Sequence, residues 1–502
     1  MYSYHVFYFP FKWEIKNKQF ATFSDSIDLT NIHLSPQSKW KTNYSPKGVE
    51  AERLYDEKNY YYKFVHPVLY DTGKPDSLVK HFERVEPIGG LCTYHIEIRK
   101  NNKEYEYKLK LDSINLNLYS TGVGMLTFYL QNDDYESFDD ILNINQYGRR
   151  IFPPFYDDLK FRSQISQCLH LEGLSGLKSR YYEDFTSYTP EMDWKPAKFI
   201  TNLIEDLQPD LVVTPVIDDR MFVNCWYQNK DLAKQFYYNE EDIKQFEDNV
   251  KEERQVIKGK EFVYSGDWYR YLYIDAGSEP TCMNLDMRKQ LIDDTTYMRW
   301  QGAGSIYGIT KYSFMLLTDA SDYAINVLSV HMRNVYSRMI ELVLMQRASM
   351  LKFSEEVTKV SRLNGRNDSF VAKRIGSLYK EYIHFINQMY FPEVTTQEQG
   401  KELYEILLKQ FDSEERIKDL DEEISELHGY VTLLIDNSRN IKASWLNIIA
   451  AIFLPPTLLS GIFGMNPFKN GFDINHFGWQ MAIIIVATIM IVIILKCKLW
   501  VK

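Results

Sequence analysis

The strongest constraint on the fold of this chain is the uneven placement of its apolar residues, which concentrate at the C-terminal end. Residues 445–465 and 479–495 are two apolar stretches interrupted by few polar residues and by no charge. Each has about the length that a hydrocarbon core of roughly 30 Å requires. A buried hairpin in a soluble core is the alternative reading, but Trp479 and Trp500 flank the second stretch like interface anchors. The pattern therefore favours two membrane spans.

Basic residues flank both predicted spans and indicate how the chain is oriented. Arg439 and Lys442 precede the first span, and Lys496, Lys498 and Lys502 follow the second. The positive-inside rule then places both termini in the cytoplasm and the loop 466–478 outside. We expect a two-span protein of a bacterial inner membrane, with a short basic tail at 496–502.

The rest of the chain has the composition of a folded soluble protein. Of its 502 residues 45% are hydrophobic and 25% are charged, and the net charge of −10 argues against direct nucleic-acid binding. The five cysteines form no Cys-x-x-Cys pair, so neither a disulfide framework nor a zinc site is indicated. Residues 1–15 read as an aromatic-rich strand without the features of a secretory signal. A large cytoplasmic domain is expected.

Residues 1–320 are predicted to form this domain, with an α+β (α/β) fold that senses a ligand. Its strands are predicted at 1–15, 93–98, 105–111, 114–119, 125–130 and 211–217, with a turn at Asn101-Asn102. Helices are predicted at 138–146 and 240–256. The sequence therefore indicates a small antiparallel or mixed sheet with helices between its strands.

Residues 321–443 are predicted to form a bundle and stalk of long helices. The predicted helices are 322–363, 369–389 and one from 396 that nothing stops before Pro455. In the last of them, positions in steps of three and four form a seam, namely Ile417, Leu420, Ile424, Leu427, Val431, Leu434, Ser438, Ile441 and Trp445. Packing within the chain's own bundle and self-association into a stalk both fit this spacing. Because two spans cannot enclose a pore, an oligomer around the first span is the more economical interpretation.

At the end of the first span the residues resemble a known family. Leu454-Pro455-Pro456-Thr457, followed by Gly461-Ile462-Phe463-Gly464-Met465-Asn466, is similar to the end of the first membrane helix of CorA-type Mg²⁺ channels. The resemblance is strong over 440–502 and extends in helical layout from about residue 320. It implies a homopentameric funnel whose pore domain is 444–502.

The resemblance also implies roles for individual residues. Gly464, Met465 and Asn466 would form the pore mouth and selectivity filter, and the pore-lining residues would be Asn440, Leu446, Leu454 and Thr457. A ring of Asn466 carboxamides would contact Mg²⁺ through its water shell, because Mg²⁺ gives up its waters reluctantly. Asn466 could instead cap the helix, and the two leucines could pack against lipid or a neighbouring helix. Mg²⁺ would be the permeant ion and a candidate regulator.

Two departures from the family keep an alternative function open. The residues after the motif, Pro467-Phe468-Lys469-Asn470, are neutral to basic where family members often carry acids, and the front domain is unusually large. Enlarged CorA-like proteins occur as membrane effectors associated with type III CRISPR systems, where an adenylate second messenger such as SAM-AMP or a cyclic oligoadenylate activates them. The layout of this chain is similar to theirs. The alternative is therefore a nucleotide-gated protein that permeabilises the membrane in antiviral defence.

Several weaker patterns in the sequence are most simply explained without a ligand. Arg149-Arg150, and Lys178 with Arg180 after Gly173 and Gly176, are candidate anion contacts, but solvated surface charge is the simpler explanation. Gly302-Ala303-Gly304 with Gly308 is not a phosphate-binding loop. Glu414-Glu415 and Asp421-Glu422-Glu423 would be a solvated face or, turned inward, Mg²⁺ sites between subunits. No catalytic motif is present, so we do not expect an enzyme.

Overall fold

The computed structural model describes residues 1–16, 27–42, 57–74, 77–87, 90–153, 166–176, 178–188, 195–216, 220–237, 260–362 and 368–464, with separate positions between 478 and 490. The chain divides into two compact units. The first unit comprises residues 1–358 and 380–422, and the second comprises residues 359–379 and 423–502. The domain boundaries expected at residues 320 and 443 stay predictions.

The first unit is built on a mixed sheet that has 13 strands within the described ranges. The strands are β1 Ser3–Ile15, β2 Trp40–Thr42, β3 Val79–Arg84, β4 Thr93–Lys100, β5 Lys103–Tyr119, β6 Val123–Asn132, β7 Cys168–Glu172, β8 Tyr182–Asp184, β9 Leu211–Pro215, β10 Phe222–Gln228, β11 Thr296–Tyr297, β12 Ser305–Ile309 and β13 Ser313–Thr318. Their order is β11-β12-β13-β10-β1-β6-β5-β4-β7-β8; in addition β2 pairs with β3, β3 with β5, and β9 with β1. Most neighbours are antiparallel, and β10 and β13 run parallel.

Strand β1 lies near the middle of the sheet. It pairs antiparallel with β10 on one side and with β6 on the other, and its second half pairs with β9. Nearly all of its side chains are buried, on both faces of the sheet. A strand covered on both faces reads as a continuous aromatic and apolar run, as Ser3–Ile15 does. The strand predicted at residues 1–15 is confirmed.

The hairpin of β4 and β5 confirms the predicted turn and corrects one strand boundary. Asn101 and Asn102 have φ of 53° and 61°, the left-handed conformation that a two-residue hairpin turn needs. The segments predicted as two strands, 105–111 and 114–119, form the single strand β5. A shift of register between Leu111 and Ser113 lets the strand continue past an extra residue as a β-bulge.

Twelve α-helices accompany the sheet within the described residues. They are α1 His66–Leu69, α2 Phe138–Gly148, α3 Lys198–Glu205, α4 Lys230–Phe236, α5 Lys260–Val263, α6 Gly266–Tyr273, α7 Leu285–Thr295, α8 Ser329–Arg333, α9 Val335–Ser361, α10 Asp368–Gln388, α11 Glu398–Gln410 and α12 Ser413–Gly464. Helix α2 confirms the prediction at 138–146. The charged helix predicted at 240–256 lies outside the described residues.

Two of the long helices predicted from the sequence are interrupted. The segment 322–363 breaks at Asn334, where φ of −108° and ψ of −81° separate α8 from α9. The helix predicted from residue 396 to Pro455 ends at Gln410 and restarts at Ser413, since Asp412 has a φ of 52°. Helix α12 then continues through Pro455 and Pro456 to Gly464. The early break contradicts the prediction, whereas the passage through Pro455 does not, because the first span was predicted to run to residue 465.

Packing contacts explain the break between α11 and α12. The Phe411 ring is buried and lies 6.1 Å from the ring of Phe222 on β10. Next to it, Lys311 Nζ lies 2.8 Å from Asp412 Oδ2. These contacts fix the joint between the two helices against the sheet of the first unit.

Helix α9 packs on the sheet through polar contacts at its N-terminal end. The Ser337 hydroxyl is 2.7 Å from the Tyr8 hydroxyl and 3.0 Å from that of Tyr129. The next residue, Arg338, forms ion pairs with Glu57 and Glu341. The helical part of the first unit is thereby attached to the two central strands β1 and β6.

Candidate functional site

The four residues predicted to line a pore lie on one side of helix α12. At 100° per residue, Leu446, Thr457, Leu454 and Asn440 fall in this angular order within an arc of about 120°. Along the axis they span about 26 Å. One helix can therefore present all four to a common axis, as the predicted rings require.

The side chains on this arc are exposed in the single chain. Leu446 is 71% exposed and Leu454 is 58% exposed, and Asn440 and Thr457 are exposed too. The Thr457 hydroxyl donates to the carbonyl oxygen of Phe453 and lies 3.2 Å from that of Leu454. Such a bond within the helix satisfies the hydroxyl without help from a neighbouring chain.

Other large apolar side chains surround the rest of this helix and are exposed as well. Ile441, Trp445, Ile449 and Phe453 are each about half or more exposed. By the same angular arithmetic they lie outside the arc, so apolar surface extends around most of the helix. No charged residue occurs from 443 to 464. A helix that is apolar all round is normally covered by protein or by lipid.

The remaining pore-mouth residues are largely beyond the described part of the chain. Gly464 is the last residue of α12, whereas Met465 and Asn466 lie outside the described residues. Most of the second predicted span, 479–495, is outside them too. Among the residues that the structure does describe, no helix combines the length and the apolar character needed to cross a membrane.

The first part of α12 carries the acidic residues and the inner part of the predicted seam. Leu420, Ile424 and Val431 are buried, whereas Ile441 and Trp445 at the end of the seam are exposed. The acidic residues Glu414, Glu415, Asp421, Glu422 and Glu423 are exposed. The Tyr382 hydroxyl donates to Asp421 at 3.3 Å. Within one chain these acids form a solvated face.

A cavity in the first unit brings together side chains that are distant in sequence. It encloses about 480 Å³ and is lined by Ser35, Gln37, Lys39, Arg84, Ser175, Gly176, Arg180, Tyr181, Glu205, Asp206 and Pro209. Of the predicted anion contacts, Arg180 and Gly176 line it. Lys178 does not; its side chain is 91% exposed and pairs with Glu172 at 3.5 Å.

Asp206 is the centre of the hydrogen-bond network in this cavity. It accepts from Arg84 Nη1 at 2.9 Å, from Arg180 Nη2 at 2.8 Å and from the Tyr181 hydroxyl at 2.6 Å. Burial, assisted by the bond to Asp206, raises the pKa of Tyr181 to about 12. Burial raises the pKa of Glu86, but hydrogen bonds from Arg84 and Ser175 outweigh it and hold that pKa below its usual value. Both arginines therefore already have carboxylate partners.

Two other patterns singled out in the sequence have packing roles. Arg149 is buried, so it is not a surface anion contact. Gly308 lies in β12, where an added Cβ would come within 1.8 Å of Leu272. Its small size is needed for helix α6 to approach the strand.

Sequence reasoning missed the cavity residues Arg84, Tyr181 and Asp206. They lie on separate elements, and no local spacing connects them. Only Arg180 could be suggested, as a basic residue in a glycine-containing loop. Cys92, Cys168, Cys225 and Cys282 are free thiols, so no disulfide forms among the described cysteines.

Comparison with known proteins gives one family and one related structure. Residues 309–501 match the family model described as CorA-like Mg²⁺ transporter protein. A matching solved structure is the complete structure of the CorA magnesium transporter from Methanocaldococcus jannaschii, with 15% identity and a TM-score of 0.21, covering 57% of this chain and 94% of that one. At that TM-score the structural match carries no argument. No curated protein matches the sequence significantly.

Proposed function

Because residues 309–501 match the family model of CorA-like Mg²⁺ transporter proteins, we propose that the chain is a Mg²⁺-type divalent-cation channel in which five copies of α12 surround the conduction path. The observation that carries the proposal is the arc of exposed side chains Asn440, Leu446, Leu454 and Thr457 on the uncharged, largely apolar last part of helix α12. The remaining points follow from this arrangement.

An oligomer gives each side of the helix a suitable environment. The arc would face the axis, where Leu446 and Leu454 form apolar constrictions that close by expelling water. The exposed apolar residues outside the arc, such as Trp445 and Ile449, would contact neighbouring helices and lipid. In the sequence, residues 443–464 carry no charge, and as a continuous helix they would extend about 33 Å, close to the thickness of the hydrocarbon core. These features support a first span at 445–465.

The remaining parts of the proposal rest on the sequence. A second span at 479–495 and a basic tail at 496–502 return the chain to the cytoplasm of a bacterial inner membrane. Asn466, with Gly464 and Met465, would select the hydrated ion at the outer mouth through its water shell. Lys469 near this mouth would weaken cation attraction compared with an acidic loop.

The first experiment measures Mg²⁺ flux into liposomes that contain the purified full-length chain. We expect flux that falls as Mg²⁺ on the cytoplasmic side rises, and a strong loss of flux in Asn466→Ala. Asn470→Ala, an amide in the same loop but outside the motif, is the matched control and should transport normally. Equal flux in both variants would contradict the role of Asn466.

A second pair of variants tests the arc itself. Leu446→Ala should raise flux several-fold under high-Mg²⁺ conditions, because a smaller side chain widens the constriction and lets it stay wet. Ile449→Ala removes a similar apolar side chain three residues away, outside the arc, and should leave this leak unchanged. A leak of the same size in both would show that the arc does not line the path. The mass of the detergent-solubilised complex by native mass spectrometry tests for five subunits.

The cavity at Arg84 and Arg180 favours a second candidate function, a channel gated by a nucleotide messenger. Its volume of about 480 Å³ lies in the range of small-molecule sites, and its basic and aromatic side chains suit a nucleotide. To bind phosphate, Arg180 would have to exchange its bond to Asp206 for one to the ligand. Because both arginines are already paired, we place this candidate second.

Flux recorded with and without a panel of adenylate messengers separates the two candidates. Under the second, flux or leakage requires the nucleotide, is lost in Arg180→Ala and persists in Lys178→Ala. Lys178 is the matched control, since it is a nearby basic residue that does not line the cavity. Nucleotide-independent flux that Mg²⁺ inhibits would exclude the second candidate.

A further inference from the structure

We propose that the outer face of the sheet in the first unit binds a Zn²⁺-type transition-metal ion through His95, His170 and Glu172. One ligand atom from each of these three residues can be chosen so that all lie within 4.8 Å of one another. This site is separate from the cavity and from helix α12, and the inference does not depend on the transport function.

The pairing of two antiparallel strands brings these residues together. His95 on β4 is directly opposite His170 on β7, and Thr93 is opposite Glu172. Side chains alternate along a strand, so Thr93, His95, His170 and Glu172 share one face while Ile96, Leu169 and Leu171 point into the core. The two histidines are 75 positions apart in the sequence, and the strand register alone makes them neighbours.

The distances are close to those of a coordinated ion. His95 Nε2 lies 3.3 Å from Glu172 Oε2. Two ligands of a tetrahedral zinc ion are separated by about 3.3 Å when each lies about 2.0–2.1 Å from the metal. The rings of His95 and His170 stack with centroids 4.2 Å apart and an interplanar angle of 19°. To coordinate one ion, the two rings must open this angle so that their nitrogen lone pairs converge. The Thr93 hydroxyl, which lies 2.7 Å from His95 Nε2, must also rotate away from that nitrogen.

His170 provides a second, independent sign of a missing ligand. Its side chain is only 13% exposed, and its Nδ1 atom is buried without a hydrogen-bond partner among the described residues. The closest carboxylate oxygen, Oε1 of Glu97, is 3.9 Å away.

Carboxylates around the pair are placed as outer-shell partners. Glu106 Oε1 lies 3.4 Å from His95 Nδ1, so it can accept a hydrogen bond from this nitrogen when Nε2 binds the ion. Metal-bound histidines usually donate their second ring N–H to such a carboxylate, which fixes the tautomer. Glu106 is half-exposed, and it also pairs with Lys108 at 2.9 Å.

The ligand set selects the class of metal. Two imidazoles and one carboxylate suit Zn²⁺ and related transition ions, whereas Mg²⁺ prefers oxygen ligands alone. Three protein ligands leave a position for water. Glu172 and Tyr182 at the rim are about 40% exposed, so an ion can enter from solvent. Lys178 Nζ, 3.5 Å from Glu172 Oε1, would move aside, which its exposure allows.

The test is Zn²⁺ binding to the full-length chain in detergent, after treatment with a chelator and in excess Mg²⁺. Excess Mg²⁺ occupies sites built from oxygen alone. Calorimetry should give one high-affinity Zn²⁺ per chain, and Co²⁺ should show the intense visible absorption of a low-symmetry site. His170→Gln and Glu172→Gln should weaken binding by more than about 100-fold, and Glu106→Gln by about tenfold, as expected for an outer-shell group.

His33→Gln is the matched control, because His33 is an exposed histidine outside the cluster and should bind Zn²⁺ as the unaltered chain does. If circular dichroism shows that His170→Gln does not fold, Glu172→Gln decides, since its half-exposed side chain is not part of the core. The proposal is overturned if the unaltered chain takes up no Zn²⁺ in excess Mg²⁺. It is equally overturned if Glu172→Gln binds as tightly as His33→Gln.

Discussion

Replacing Arg338 by Met tests how helix α9 is held on the sheet. Arg338 Nε lies 3.3 Å from Glu57 Oε1, and its Nη1 lies 3.2 Å from Glu341 Oε2. The carboxylate side chains are only 9% and 5% exposed. Although burial opposes its charge, Glu57 and Glu341 hold the pKa of Arg338 well above its usual value. Arg338→Met therefore leaves two buried carboxylates without their cation.

Removing one partner of a buried ion pair typically costs about 3–5 kcal/mol. In a unit of this size that corresponds to a fall of about 5 °C or more in the melting midpoint. The assay is thermal unfolding of the detergent-solubilised chain, followed by the fluorescence of its 9 tryptophans. Lys234→Met, which breaks an exposed pair with Asp231, is the matched control and should change the midpoint little.

A double variant separates loss of packing from unpaired charge. Arg338→Met combined with Glu341→Gln removes one of the two uncompensated carboxylates, so it should melt above Arg338→Met alone. If Arg338→Met and Lys234→Met have the same melting midpoint, or if the double variant has the lowest midpoint of all, the buried ion pair does not hold helix α9 on the sheet.

Further predictions concern single positions. Gly308→Ala brings a methyl group within 1.8 Å of Leu272 and should lower the free energy of unfolding by about 1–3 kcal/mol. Gly376→Ala, at an exposed helix position with open space around it, should raise the free energy of unfolding by up to about 1 kcal/mol. Melting midpoints of the two variants that shift in the same direction would contradict this. Burial lowers the pKa of His5 to about 4, so the stability it contributes is present above its usual pKa of 6.5 and is lost as pH falls toward 4. The loss between pH 7.5 and 5 is about 2 kcal/mol, and melting of His5→Gln should depend less on pH there. Asn102→Val should cost about 1–2 kcal/mol, because a β-branched residue is strained at φ 61°, and Asn102→Gly should melt like the unaltered chain.

Local features of the front domain were predictable because local signals specify them. The apolar and polar alternation of β4 and the Asn101-Asn102 pair predicted a hairpin, and the structure has it at the same residues. The aromatic run of β1 likewise predicted a strand. The bulge that lets β5 run past Asp112 was missed, since an extra residue in a strand leaves no clear mark in the pattern.

The helical part was predictable in kind but not in its breaks. Absence of Gly and Pro predicted continuous helix across Phe411 and Asp412, yet contacts with Phe222 and Lys311 end the helix there. At this break, contacts with distant parts of the molecule outweigh local preference. Helix α12 continues through Pro455 to Gly464, as the span predicted at 445–465 requires of this segment.

Sites assembled from distant strands were beyond sequence reasoning. Arg84 and Asp206 meet although they are 122 positions apart. The meeting of His95 and His170 depends on strand register, which no spacing in the sequence encodes. The residues proposed to line the pore come from a motif, and their assembly into rings stays a prediction about several chains.

The central position of β1 sets the order in which the first unit can be completed during synthesis. Residues 3–15 can pair with β6 only after residues 123–132 are synthesised, and with β10 only after residues 222–228 are synthesised. Strand β10 in turn can pair with β13 only after residues 313–318 are synthesised. Until then a ribosome-bound chain carries an aromatic strand with an open edge, which is prone to pair with other chains. Slow closure of such long-range pairings would make this chain depend on chaperones before its apolar C-terminal segment is made.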